Sequence, residues 1–153
     1  MDALTLRPIG TVRGGRIAAE DDAWAPCVAE IVLVPRFSPD ALLGLETFSH
    51  AEIVFHFHGV AESEEVPAAR HPRDRADWPL AGIFAQRGRT RPNRLGVTIC
   101  EIVSVQGLVL TVRGLDAIDG TPVLDIKPYM TGFAARGPVR EPAWAQALMD
   151  DYW

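Results

Sequence analysis

Long hydrophobic runs are missing from this chain of 153 residues. No apolar stretch approaches the roughly 20 residues that a bilayer-crossing helix needs, so no membrane association through a spanning helix is expected. Two cysteines, Cys27 and Cys100, are too few for a disulfide framework or a four-thiolate zinc site. Lysine is almost absent, with Lys127 alone beside fourteen arginines. The opening MDALTLRPIG has no basic segment followed by an apolar one. A secretory signal is therefore not expected, and a reduced, cytoplasmic setting is. Several motifs are also missing: the GxxxxGKS/T phosphate loop, the GxGxxG strand–helix fingerprint, HExxH and the GxSxG elbow. Their absence removes support for an ordinary nucleotide-binding protein or hydrolase.

What is present suits one compact domain spanning residues 1–153. The chain is 48% hydrophobic and 23% charged, with 13 glycines and 12 prolines, which excludes a disordered tail, a collagen-like repeat and a coiled coil. Net charge is −5, unlike a uniformly basic nucleic-acid binder. Its distribution is uneven. Seven arginines (70, 73, 75, 87, 89, 91 and 94) face only Asp74 and Asp77 within residues 70–94, a local +5 that leaves −10 for the remainder. Such a stretch is suited to meeting anions.

Strand signals dominate. Residues 4–12 read as extended, with Pro8 placing them near a sheet edge. Residues 28–34 form an apolar run closed by Pro35, and Ser38-Pro39-Asp40 marks a short helix start. Residues 51–58 alternate with period two, setting Ile53, Phe55 and Phe57 against His50, Glu52, His56 and His58. Residues 67–79 read as a long loop. Residues 96–105 and 108–113 flank Gln106-Gly107 as a hairpin, and a further strand is expected through 123–126. In the tail EPAWAQALMDDYW, Trp144, Leu148 and Tyr152 share a helical stripe. Short strands separated by turns favour an antiparallel β-barrel or curled sheet, with short peripheral helices and a C-terminal helix, over a βαβ wind.

Three stretches could carry chemistry. The His50, Glu52, His56 and His58 face offers imidazoles two residues apart, enough to approach a metal ion. No further ligand motif accompanies them, so a polar strand face is expected and no metal. In GIFAQRGRTRPNRLGVTICEI, residues 82–102, four arginines lie between Arg87 and Arg94 among Gly88, Pro92 and Gly96. Converging guanidinium forks there would hold carboxylates or phosphates; the alternative is a solvated basic loop. In LDAIDGTPVLDIKPYM, residues 115–130, three aspartates and Lys127 fall in one short stretch. Asp125 and Lys127 lie two apart and share a face if extended, either as a ligand-side pair or as a salt-bridged edge strand.

The segments PIGTVR (8–13), FSHAEIVFHFH (48–58), GIFAQRGRTRPNRLG (82–96) and LDAIDGTPVLDIKPY (115–129) together resemble the TsaA-like family that includes the TrmO (YaeB) tRNA methyltransferases. The resemblance implies a small β-barrel that dimerises and binds S-adenosylmethionine near the subunit interface. It also implies methyl transfer to N6 of threonylcarbamoyladenosine beside the tRNA anticodon. Matched by motif, His58, Gly59, Arg87, Val97, Asp116, Ala117, Ile118 and Asp119 would contact the cofactor, with Trp24 on a lid. Asp125, Lys127 and Tyr129 would form the acceptor-side catalytic cluster, Asp125 serving as base. Arg89, Arg91, Asn93 and Arg94 would meet the tRNA. Arg94 departs from the family's more usual RPN-P, and residues 14–26 do not match its pattern. Other acceptors consistent with the resemblance are a small amide or amine. A cofactor-binding sensor without catalysis is the remaining possibility.

Overall fold

The computed structural model describes residues 3–153. Met1 and Asp2, which belong to the segment read for a signal and to the 1–153 domain, lie outside the described residues. Six strands close a barrel: β1 (Gly10–Arg13), β2 (Val28–Leu33), β3 (His50–His56), β6 (Leu95–Gln106), β7 (Val109–Arg113) and β8 (Pro122–Pro128). Around the barrel the order is β1-β2-β7-β6-β3-β8, and every neighbouring pair is antiparallel. Two further strands, β4 (Ala69–Arg70) and β5 (Ala81–Gly82), form a separate ribbon.

The barrel follows from the period-two pattern. In β3, Ala51, Ile53 and Phe55 point inward and are buried, while His50, Glu52, Val54 and His56 face outward. In β6, Gly96, Thr98 and Cys100 point inward, and Val97 and Ile99 outward. Val12, Ile31, Leu110, Val112 and Val123 complete an interior filled by side chains. At Gly96 the packing requires glycine, because a Cβ there would lie 2.5 Å from the Phe55 ring. The hairpin signal at Gln106-Gly107 holds. Gln106 pairs with Val109, and Gly107 takes φ +59 at the first turn position, where a two-residue II′ hairpin demands a positive angle.

Three expectations need correction. The first strand begins at Gly10 rather than residue 4: residues 3–8 are exposed, and Pro8 has no N–H to add to a ladder. The loop at 67–79 contains β4, whose two residues are too few to produce a periodic signal. The C-terminal helix, α1 (Ala143–Leu148), is six residues long and does not reach Tyr152. Acidic Asp150 and Asp151 oppose the dipole at its C-terminal end. The backbone carbonyls of Asp151 and Tyr152 instead accept from the N–H groups of Ala23 and Trp24, both at 2.9 Å.

Candidate functional site

At one end of the barrel, the end of β3, the start of β6 and the loop before β8 converge. His58 and Gly59 follow β3, and residues 115–121 lead into β8. A Cβ on Gly59 would meet Ile118 Cδ1 at 4.0 Å, and one on Gly120 would meet His58 Nε2 at 3.7 Å. His58-Gly59 and Ile118–Gly120 are therefore neighbours, and both glycines leave backbone accessible to a ligand. Gly120 takes φ +80 at the turn, so a larger residue there would also be strained. Asp119 fastens this segment to the loop after β1. Its Oδ1 accepts from Gly14 N–H at 2.7 Å, and its own N–H donates to the Arg16 carbonyl at 2.7 Å.

Asp116 is the polar centre of this end. The Thr98 hydroxyl donates to its Oδ1 and the Tyr152 hydroxyl to its Oδ2. Thr98 projects from β6 into the barrel and is only 5% exposed. Burial, and then the Asp116 charge, push the Tyr152 phenol pKa far upward, so the phenol stays a donor. The same two causes push the Cys100 thiol up to about 12. Arg87 donates to the Val97 carbonyl at 2.8 Å. Val97 immediately precedes Thr98, so Arg87 lies against the same stretch of β6.

The arginine-rich stretch divides into two groups. Arg70, Arg73 and Arg75 form ion pairs with Asp74, Asp22 and Asp77. Arg87, Arg89, Arg91 and Arg94 instead donate to the carbonyls of Val97, Ala19, Gln86 and Val60, and pair with no carboxylate among the described residues. The uncompensated positive charge thus lies in residues 87–94. Asn93 and Arg94 take φ +60 and +50 in the turn that opens β6. Asparagine tolerates that conformation, whereas arginine is strained in it. Nearby, His56 has its pKa lowered by burial first and then by the charges of Arg94 and His58.

Trp24 lies behind this end of the barrel, its N–H on the Tyr152 carbonyl, whereas Asp125, Lys127 and Tyr129 lie elsewhere. Trp24 is 3% exposed, donates from its indole N–H to the Glu20 carbonyl at 3.1 Å and lies 4.4 Å beneath the Arg16 guanidinium. It packs the 16–24 loop rather than forming a lid. Asp125 and Lys127 do share a face, the barrel's outer one, and form an ion pair beside Glu52 and Val54. That hydrogen bond to Asp125 is the main cause raising the Lys127 pKa. Tyr129 donates its N–H to the His50 carbonyl, at the far end of β3 from His58. Tyr129 is thus separated from His58 by the length of β3 within one chain. Thr98, Gly120 and Tyr152 were not among the expected site residues. Thr98 alone carried a signal, as a hydroxyl at an inward position of an alternating strand. Among the described residues no group of three His, Cys, Asp or Glu side chains is placed to hold a metal, and no helix is long and apolar enough to cross a membrane.

Residues 19–135 match the family described as the tRNA-methyltransferase O N-terminal domain. The chain belongs to this family. It is 38% identical over 120 residues to the tRNA (adenine(37)-N6)-methyltransferase of Escherichia coli, covering 76% of this chain and 50% of that protein. It is 35% identical over 147 residues to a probable S-adenosyl-L-methionine-binding protein of Pyrococcus abyssi, covering 90% of this chain and 74% of the relative. A crystal structure of TrmO from Pseudomonas aeruginosa superposes with a TM-score of 0.74 at 30% identity, over 91% of this chain and 61% of that one. The chain thus spans half the length of the E. coli enzyme and about three-fifths of the solved TrmO chain. The antiparallel barrel expected from the sequence is therefore the TrmO-family fold, and Tyr152 lies beyond the matched residues.

Proposed function

We propose that this chain is an S-adenosylmethionine-dependent N-methyltransferase acting on N6 of threonylcarbamoyladenosine next to the tRNA anticodon, in the cytoplasm. The observation that carries this is the meeting of His58-Gly59, Arg87-Val97 and residues 116–120 at one barrel end, in a chain of the TrmO family. The residues there fit the cofactor. Asp116 retains acceptor lone pairs for ribose hydroxyls or an ammonium, Arg87 offers a guanidinium for a carboxylate, and Gly59 and Gly120 allow close backbone approach. When bound, the cofactor supplies a methyl group activated by a sulfonium. The protein's task is positioning, because the acceptor nitrogen must lie in line with the bond that breaks. The N6–H proton has to leave as the new bond forms. Asp125 accepts it, its carboxylate oriented by Lys127. Arg89, Arg91 and Arg94, free of carboxylate partners among the described residues, meet anticodon phosphates, with Asn93 beside them.

Two copies associate in this proposal. In the aromatic tail, Trp144 packs against Trp78 at 6.3 Å and Tyr152 turns back to Asp116, which leaves Trp153 as its exposed aromatic. The outer face of β6 is the better candidate, where Val97, Ile99 and Val103 are 38%, 47% and 44% exposed. That face adjoins Glu52, Asp125 and Lys127, so a second copy would bring the acceptor-side residues toward a neighbour's cofactor end. Light scattering that returned only the 16.7 kDa monomer at micromolar concentration would reject the pair.

A second reading, cofactor binding without transfer, is favoured by one observation. The chain covers 74% of the P. abyssi relative and 90% of a Methanothermobacter thermautotrophicus relative, both named only as probable S-adenosyl-L-methionine-binding proteins. Calorimetric titration with S-adenosylmethionine, followed by methyl incorporation into tRNA carrying threonylcarbamoyladenosine, separates the two. Saturable binding with incorporation supports the enzyme, and binding without incorporation supports the second reading. No binding at millimolar cofactor rejects both. A steep fall of tRNA affinity with salt would identify phosphate contacts.

A further inference from the structure

Tyr152 reaches Asp116 from 36 residues away, and everything around it is arranged to hold it there. The N–H groups of Ala23 and Trp24 grip the carbonyls of Asp151 and Tyr152 on either side of its Cα. The loop that supplies those N–H groups is itself fixed. Arg16 donates to the carbonyls of Asp22 and Ala23, and Arg73 holds the Asp22 carboxylate through two bonds of 2.6 and 3.1 Å. Asp119 ties the beginning of that loop to the segment containing Asp116. Tail, loop and segment therefore form one closed circuit of hydrogen bonds.

At the centre, both oxygens of Asp116 are occupied from opposite sides. Thr98 is carried by β6, paired in register with Ile53, and Tyr152 is held in the tail by the backbone bonds to Ala23 and Trp24. Hydrogen bonds to an ionised carboxylate are among the stronger ones, and two of them fix the orientation of its plane. Each oxygen keeps a lone pair for a ligand. We propose that Tyr152 is a positioning residue that, with Thr98, orients the Asp116 carboxylate and thereby sets the affinity of the 116–119 segment for the cofactor. This rests on the assignment of that segment to S-adenosylmethionine. The tail outside the family match thus becomes part of the binding site without touching the ligand.

Phenylalanine at 152 keeps the ring and removes only the donor, so Tyr152→Phe isolates the effect. Titration of S-adenosylmethionine into the parent, Tyr152→Phe, Asp116→Asn and the double variant gives a complete cycle. Tyr152→Phe is expected to raise Kd about five- to twentyfold, a part of the roughly 13- to 160-fold that a bond to a charged group is worth, because the lost bond acts on the ligand only through Asp116. In the Asp116→Asn background the same substitution should change Kd by less than about twofold, because the group being oriented has lost its charge. Thermal melts accompany each variant. Parent-like affinity for Tyr152→Phe, or the same fold-change with and without the Asp116 charge, would overturn the proposal. A lowered Tm with unchanged Kd would overturn it too, leaving Tyr152 a packing residue. No saturable binding by the parent would instead overturn the assignment of the site itself.

Discussion

Gly96→Ala is a one-carbon change whose cost can be worked from the geometry. The added Cβ would stand 2.5 Å from two Phe55 ring atoms and 2.9 Å from Phe57 Cζ. Carbon atoms rest at about 3.5–4.0 Å, so the rings must retreat by about 1 Å or more. Phe55 cannot swing aside cheaply, since it is 1% exposed within the core and meets Phe57 edge-on at 5.3 Å. Overpacking of this kind costs about 1–3 kcal/mol. For a domain of this size, 2 kcal/mol corresponds to a fall in Tm of about 4–8 °C. Urea unfolding followed by tryptophan fluorescence should show a lower midpoint with unchanged slope. Phe55→Leu removes the colliding ring atoms, so the double variant should lose less than the two single losses together, by about 0.5–3 kcal/mol. Because Gly96 precedes Val97 at the barrel end that gathers the candidate site, cofactor affinity should fall with it. If Gly96→Ala destabilised by less than about 0.5 kcal/mol, or if the two effects were additive, the close-packing account would fail.

Burial holds the Cys100 thiol at about 12, whereas Cys27 is half-buried, so an aromatic disulfide reagent at neutral pH should label Cys27 alone; rapid labelling of both in the folded state would contradict this. His56 should titrate below 6.5 by NMR, and Arg94→Ala should move its midpoint upward, an unchanged midpoint excluding the Arg94 contribution. Since the folded-state value lies below the unfolded one, His56 supports stability above about pH 6.5, and that support disappears as pH falls through the folded value. Asp125→Asn and Lys127→Ala should each slow methyl transfer, by about 10²–10⁴-fold for loss of the base, with cofactor affinity and Tm little changed. Parent-like transfer rates in both would make the pair structural.

The barrel was legible where side chains alternate and glycine marks the turns. His50–His56 and the Gln106-Gly107 hairpin illustrate both signals, because pleating and positive φ act within a few residues. The β4–β5 ribbon was not legible, since strands of two residues leave no period to detect. The tail stripe overstated the helix because Tyr152 satisfies the helical spacing while its backbone is held by Ala23 and Trp24. Tertiary pairing outweighed a local pattern there. For the site, the family segments led to His58, Arg87 and Asp116, yet nothing in the local sequence could show that Tyr152 closes on Asp116. The excess of arginine was likewise visible, but not that Arg70, Arg73 and Arg75 are already neutralised.

The barrel closes on itself along a short line. β1 meets β8 in register at Gly10 opposite Val123 and Thr11 opposite Pro122, extended by Ile9 N–H on the Val123 carbonyl and Val12 N–H on the Thr121 carbonyl, whereas β3 lies along β6 from His50 to His56. Pro122 brings no N–H to that line, and its two sides are more than 100 residues apart in the chain, so its closure carries the entropy cost of a long loop. Outside the ladder it is clasped by Gly120 N–H on the Val12 carbonyl and Gly14 N–H on Asp119. The clasp belongs to the same segment that faces the candidate cofactor site. A ligand seated on residues 116–119 would, on the proposed assignment, stabilise this clasp as well. Its arrival should be felt as slowed amide exchange in β1, on a strand it never contacts.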